Sequence, residues 1–233
     1  MLLTPGPTPV PEFVRKAMAD ITIHHRTEEF EAIFKNTREL LIELYDMPEA
    51  VMLASSGTGA MEACVTNLTH KKALTINSGK FGERFGKICA AFGIDYTEIK
   101  NEWNAPVSVE AVVEAIKADS SIDAVFIQIC ESAGGLRHPV EQIAAEVKKI
   151  NKDITIVADG ITAIGVEKID TTNLDAVVTG SQKALMLPPG LAMIGFSNAA
   201  VAKIESKPRG YYFNLATEIK KQRTNTTAWT AAT

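Results

Sequence analysis

The chain has 233 residues, 46% of them apolar and 22% charged, with 28 acidic against 24 basic side chains for a net charge of −4. This is a globular composition, which excludes wholesale disorder and a fibrous repeat, and without a basic excess the chain has little to offer a phosphate backbone. No apolar run approaches the roughly 18 residues of a membrane span, and the start, MLLTPGPTPVPEF, has neither a basic leader nor a long apolar stretch, so the expectation is a soluble cytoplasmic protein with no nucleic-acid or membrane partner.

After a Pro-rich start, Arg26 to Tyr45 sets Phe30, Ile33, Phe34, Leu40, Leu41 and Leu44 mostly three or four residues apart, the spacing of an amphipathic helix. Six β-type runs then follow, starting at Val51, Ala73, Ala124, Ile154, Ala176 and Ala192. Between them lie helical stretches at Gly59 to Leu68, Phe81 to Phe92, Val107 to Ala118 and Val140 to Ile150. The runs are apolar throughout instead of alternating, as strands covered by helices on both faces are. An α/β fold with a mainly parallel sheet is predicted. Cys64, Cys89 and Cys130 are few, far apart and in apolar surroundings, so they read as buried thiols.

In such sheets ligands sit beyond the carboxyl ends of the strands. Small, polar and ionisable residues gather at five of the six exits: SSGTGAME from Ser55, NSGKFGER from Asn77, CESAGG from Cys130, ADGITA from Ala158 and GSQKALMLPPG from Gly180. At the first, Ser56-Gly57-Thr58-Gly59 opens a helix and offers backbone N–H groups to an anion, or serves only as a tight turn. It is not a dinucleotide fingerprint, since Glu62 stands where the third glycine belongs, and no Walker ending occurs. At the fifth, Lys183 has apolar neighbours that would favour a neutral, nucleophilic amine, against the ordinary alternative of a surface charge.

Asp159 closes a very apolar run, where an unpaired carboxylate is costly; it either caps a turn or faces a cationic ring nitrogen. Phe81 is core or a stacking ring, and Ser132 is a turn residue or a hydroxyl donor to a phenolic oxygen. Anion cradle, stacking ring, hydroxyl, carboxylate and lysine together form the complement that pyridoxal phosphate requires.

PGPTPVP, SGTGAME, NSGKFGER, ADGITAIG and GSQKALMLPPG, in this order, resemble the class V aminotransferases, and within them the alanine/serine–glyoxylate branch, over essentially the whole chain. The resemblance implies a fold-type I pyridoxal-phosphate enzyme with a mixed, mostly parallel seven-stranded sheet, acting as a homodimer on a small amino acid and a small keto acid. Carried over by position, Lys183 forms the Schiff base and Asp159 pairs the pyridine nitrogen. Phe81 and Ile161 take the two faces of the ring, and Ser132 lies near the phenolic oxygen. Thr58, Gly59 and Ala60 fall on the phosphate turn with Gln182 beside it, and Thr227 in TNTTAW reaches the phosphate of the neighbouring subunit.

The third exit departs from the family pattern: Glu131-Ser132-Ala133-Gly134-Gly135 lacks two of its usual hydroxyls. The resemblance divides the chain into an N-terminal segment, 1–20, and a cofactor-binding large domain, 21–233. Family members continue into a small domain carrying the arginine for the substrate carboxylate, so a chain cut at Thr233, inside a helix, is expected. Arg137 could seem to bind that carboxylate, but the family places the task elsewhere. His24-His25 has no third ligand in sight, and His70 and His138 read as solvated turn residues. A lyase or desulfurase chemistry on the same scaffold, or a chain that binds cofactor without turnover, remains open as an alternative.

Overall fold

The computed structural model describes residues 2–230. In chain order the elements are α1 (Glu12–Ala17), α2 (Glu28–Tyr45), β1 (Glu49–Ala54), α3 (Gly57–Leu68), β2 (Lys72–Asn77), α4 (Gly82–Ala91), β3 (Tyr96–Lys100) and α5 (Val109–Ala118). They continue with β4 (Ile122–Gln128), β5 (Cys130–Glu131), β6 (Leu136–Arg137), α6 (Val140–Ile150), β7 (Thr155–Asp159), β8 (Ala176–Gly180), β9 (Leu191–Phe196), α7 (Asn198–Ser206) and α8 (Leu215–Gln222). Each of the six apolar runs forms a strand of one seven-stranded sheet, ordered β1-β9-β8-β7-β4-β2-β3, while β5 and β6 make a small separate hairpin. The sheet is mixed: β9 runs antiparallel to β1 and β8, and the other pairings are parallel.

Strand side chains alternate between two cores. Val125, Ile127, Ile156, Ala158 and Val177 pack with residues of α2, α5 and α6 on one face. Ala124, Phe126, Val157, Ala176 and Val178 pack with α3, α4, α7 and α8 on the other. The period of two therefore puts Asn77, Gln128 and Asp159, the last residues of β2, β4 and β7, on the α3/α4 face. Because β9 runs the other way, its exit lies at the opposite edge, and the five chemistry-bearing exits share one edge. That opposite edge is closed by the partly buried ion pairs Lys148–Asp175 at 2.6 Å and Lys203–Asp123 at 2.9 Å.

The edge strand β1 is covered rather than left open. Gln222 of α8 accepts from Met52 N at 2.9 Å and donates to Met52 O at 2.7 Å, so its amide replaces one rung of a missing strand.

Several expectations change. The apolar residues of α2 divide: Phe30, Phe34 and Leu41 are buried, while Ile33, Leu40 and Leu44 face outward on a second stripe. His138 is buried, not solvated; its Nδ1 accepts from Val107 N, and burial pushes its pKa down to about 4. Cys130 is only half-buried, while Cys64 and Cys89 are buried. The last helix, α8, ends at Gln222 and 223–230 continue as turns and irregular chain, so no helix runs to the end of the described residues; Thr233 itself lies outside them. Among the described residues, no helix is long and apolar enough to cross a membrane.

Candidate active site

Each exit turn is tied to its neighbours. The first turn of α3 has no acidic residue, and its N-cap Ser56 makes no side-chain bond, which leaves the N–H groups of Gly57, Thr58 and Gly59 without helical partners at the positive end of a 12-residue helix. Ala60, also assigned to this turn, spends its N–H on Ser56 O at 3.2 Å. Gly57 packs against the fourth exit, where a methyl group on it would lie 2.2 Å from Ile161 Cδ1. Thr58 joins the second exit, since its Oγ1 accepts from Arg84 Nη1 at 2.9 Å, and the Arg84 guanidinium lies 4.9 Å from the centre of the Phe81 ring.

Asp159 is 4% exposed. The one hydrogen bond to its carboxylate among the described residues runs from Ile161 N to Oδ1 at 3.0 Å, so Oδ2 remains available to a donor. Burial raises its pKa to about 6; the Ile161 N–H and the charges of Arg84 and Lys183 oppose the shift, and Glu131 adds to it. Lys183 responds in the complementary sense, with burial holding its ammonium below the ordinary lysine range and the Asp159 charge partly restoring it. β7 and β8 are parallel neighbours, so Asp159 at the end of β7 and Lys183 just past the end of β8 leave the sheet on the same side.

The N-terminal segment forms a wall over Lys183 that sequence reasoning did not find. Thr8 N donates to Gln182 O at 3.0 Å and Thr8 Oγ1 to Lys183 O at 2.9 Å. The backbone of Gly6 approaches so closely that a Cβ there would lie 2.5 Å from Lys183 Nζ. A side chain there would push the lysine tail aside, and PGPT was the available sequence signal. A cleft of roughly 510 Å³ opens beside it, with Pro5, Thr8, Ser132, Thr162 and Lys183 in its lining. Arg137 also borders the cleft, but its guanidinium is held by Glu141 at 2.6 Å and Glu167 at 3.0 Å, so it is already paired.

Two further assigned residues, Gln182 and Thr227, have surroundings of their own. The Gln182 side chain folds over Gly180, where an added Cβ would lie 2.7 Å from its Oε1. Thr227 donates to Trp229 O and lines a separate apolar cavity of about 180 Å³ with Phe30, Phe34, Tyr212 and Phe213, with no contact to Lys183 among the described residues.

A helix-covered sheet with a shielded lysine, a buried carboxylate and an uncapped helix N-terminus at one edge is the architecture of fold-type I pyridoxal-phosphate enzymes. The family model for Aminotransferase class-V matches residues 2–230, and the chain belongs to that family, whose members use pyridoxal phosphate. An uncharacterized aminotransferase of Helicobacter pylori strain J99 is 48% identical over 231 residues, covering 99% of this chain and 63% of the relative. The L-aspartate–glyoxylate aminotransferase of Paracoccus denitrificans is 31% identical, over 91% of this chain and 56% of its own length. Among solved structures, the subgroup IV aspartate aminotransferase of Thermus thermophilus superposes with a TM-score of 0.91 at 33% identity, covering 98% of this chain and 65% of that one. The chain thus spans between 56% and 65% of the length of these relatives.

The residues present fit the cofactor. Asp159 Oδ2 is an available acceptor in a buried site, the α3 N-terminus offers unpartnered N–H groups with no carboxylate in its first turn, and Lys183 carries a partly desolvated amine.

Proposed function

We propose that this chain carries the cofactor site of an aminotransferase that moves the amino group of a small amino acid, alanine or serine, to a small 2-keto acid, glyoxylate or pyruvate, in two half-reactions. The observation that carries the reading is that the parallel neighbours β7 and β8 end at one sheet edge, the first in the buried carboxylate of Asp159 and the second in the turn that carries Lys183 under the N-terminal segment. Pyridoxal phosphate, when bound, supplies an aldehyde that condenses with amines and a ring that draws electrons from the bonds at Cα.

The chain's own residues do the rest. The Gly57, Thr58 and Gly59 N–H groups bind the phosphate at the α3 N-terminus. Phe81 and Ile161 hold the two faces of the ring, and Ser132 donates to its phenolic oxygen. Asp159 keeps a proton on the ring nitrogen by offering a carboxylate where water is excluded. Lys183 Nζ first anchors the cofactor and, once displaced by the substrate amine, takes the Cα proton and returns it one position along. Its lowered pKa favours the neutral amine that both tasks need.

In this reading the working unit is a homodimer in which Thr227 contacts the phosphate of the partner subunit. The outward stripe of Ile33, Leu40 and Leu44 supports such an association. Gln182 sits beside the phosphate turn, and residues 1–20 form a segment that closes over a large domain, 21–233. Cytoplasmic residence belongs to the same reading.

Amino donors tested singly against the pyridoxal-phosphate-loaded chain should separate the substrates. Alanine or serine is expected to release pyruvate or hydroxypyruvate, with product depending on enzyme concentration in a first turnover before any keto acid is added. Faster release from aspartate would replace the donor while keeping the reaction class. No keto acid from any donor, with cofactor bound, would support a binding chain without turnover instead.

A further inference from the structure

The turn from β2 to α4, residues 78–81, has to present Phe81 without the rigidity of a regular element, and its backbone groups show what holds it. Phe81 N and Gly82 N both donate to Glu131 Oε2, at 2.9 and 2.8 Å. Phe81 O accepts from Gln128 Nε2 at 2.9 Å. The second oxygen of Glu131 accepts from Ala133 N at 3.2 Å, in the loop that carries Ser132. Glu131 and Gln128 are both completely buried. Gly79 lies against the carboxylate so closely that a Cβ on it would be 2.5 Å from Glu131 Cγ.

Burying a carboxylate is costly unless hydrogen bonds replace its water. No ion pair compensates Glu131 among the described residues; its contacts are three backbone N–H groups, two of them at the positive end of the 10-residue helix α4. Such charge-assisted bonds are short and directional, so they fix the Phe81 peptide more tightly than apolar packing would. Gln128 is the ladder partner of Asp159, so the grip on Phe81 is referenced to the strand end that carries the carboxylate.

We propose that Glu131, assisted by Gln128, is a positioning residue: it locks the Phe81 turn so that the aromatic ring is pre-set against the planar cofactor, and it ties that turn to the Ser132 loop. This rests on the reading of the site under Proposed function. Both carboxylate oxygens of Glu131 are taken up by backbone N–H groups, so in this proposal it acts through Phe81.

The test is a double-variant cycle with pyridoxal phosphate as the probe, reading its dissociation constant and the visible circular dichroism of the bound chromophore. In Glu131→Gln, the amide can accept through only one oxygen and sets its own N–H groups against backbone donors. Glu131→Gln and Phe81→Ala are each expected to weaken binding about tenfold and to reduce the dichroic band, and the double variant to lose no more than either alone. A further tenfold loss when Glu131→Gln is added to Phe81→Ala, or a Glu131→Gln chain that binds with an unchanged band, would overturn the proposal. Should Glu131→Gln fail to fold, Gly79→Ala presses on the same carboxylate; wild-type binding and band in that variant would equally overturn it.

A wild-type chain that does not bind pyridoxal phosphate would sink the proposed function instead. Hydrogen exchange then decides the positioning role without cofactor. Exchange at Phe81 and Gly82 accelerated tenfold or more in Glu131→Gln supports it, and unchanged exchange overturns it.

Discussion

Replacing Lys183 by alanine is expected to slow release of keto acid from the amino donor by about 10³- to 10⁴-fold or more, with the fold retained. Removal of a general base alone accounts for roughly 10²- to 10⁴-fold, and here the same Nζ also anchors the cofactor. Lys183→Arg separates charge from chemistry. A guanidinium does not lose its proton in a protein, so the arginine variant should be as slow as alanine although the positive charge near Asp159 is kept. Single-turnover measurement of the half-reaction checks both, and a variant within tenfold of the wild type would remove Lys183 from the mechanism.

The second large effect runs in opposite directions for activity and stability. Asp159 is a buried carboxyl whose pKa is raised to about 6. For an acid raised in the folded state, the native chain holds the proton more tightly than the unfolded chain. The resulting stabilisation is complete below the unfolded pKa of about 4 and is lost as pH rises through about 6. At pH 8 the cofactor-free chain therefore carries an ionised buried group that costs on the order of 2–3 kcal/mol relative to a neutral one.

Asp159→Asn removes that cost while its amide oxygen can still accept from Ile161 N. The cofactor-free variant should melt several degrees above the wild type at pH 8, and the difference should vanish below about pH 4. With pyridoxal phosphate bound, the same variant should lose about 100-fold or more in half-reaction rate, because a neutral amide cannot hold a proton on the ring nitrogen. A variant that is less stable at pH 8 and equally fast would contradict both parts.

Most of the sheet could be read from the chain because its central strands are buried on both faces. AVFIQI, ITIVAD and AVVTGS have no solvent face to interrupt the apolar run. The strand that was missed, β3, lies at the edge, and its sequence Tyr-Thr-Glu-Ile-Lys alternates polar residues at exposed and half-exposed positions. Local spacing could not divide α2 correctly either. Ile33 and Phe34 are adjacent in sequence and apolar, but only tertiary packing decides which of them meets the sheet. The short helices α1, α7 and α8 lacked a run long enough to carry a period.

The site divides along the same line. Lys183, Asp159 and the Gly57–Gly59 turn were legible because strand exits are marked by abrupt changes in composition. Gly6 and Thr8 were visible only as letters of PGPTPVP; that they fold over Lys183 from about 175 residues away was not. Arg84 and Glu131 were visible as letters of motifs, but their work is to hold Thr58 and Phe81, and contacts of that kind appear only when the turns are brought together.

The most direct measurement is borohydride reduction of the chain with pyridoxal phosphate, followed by proteolysis and mapping of the modified peptide. The expected result is a single stable phosphopyridoxyl group on Lys183, in the peptide containing GSQKALMLPPG, and none in Lys183→Ala. Label on a different lysine, or equal label in the alanine variant, would contradict the assignment of this edge of the sheet as the cofactor site.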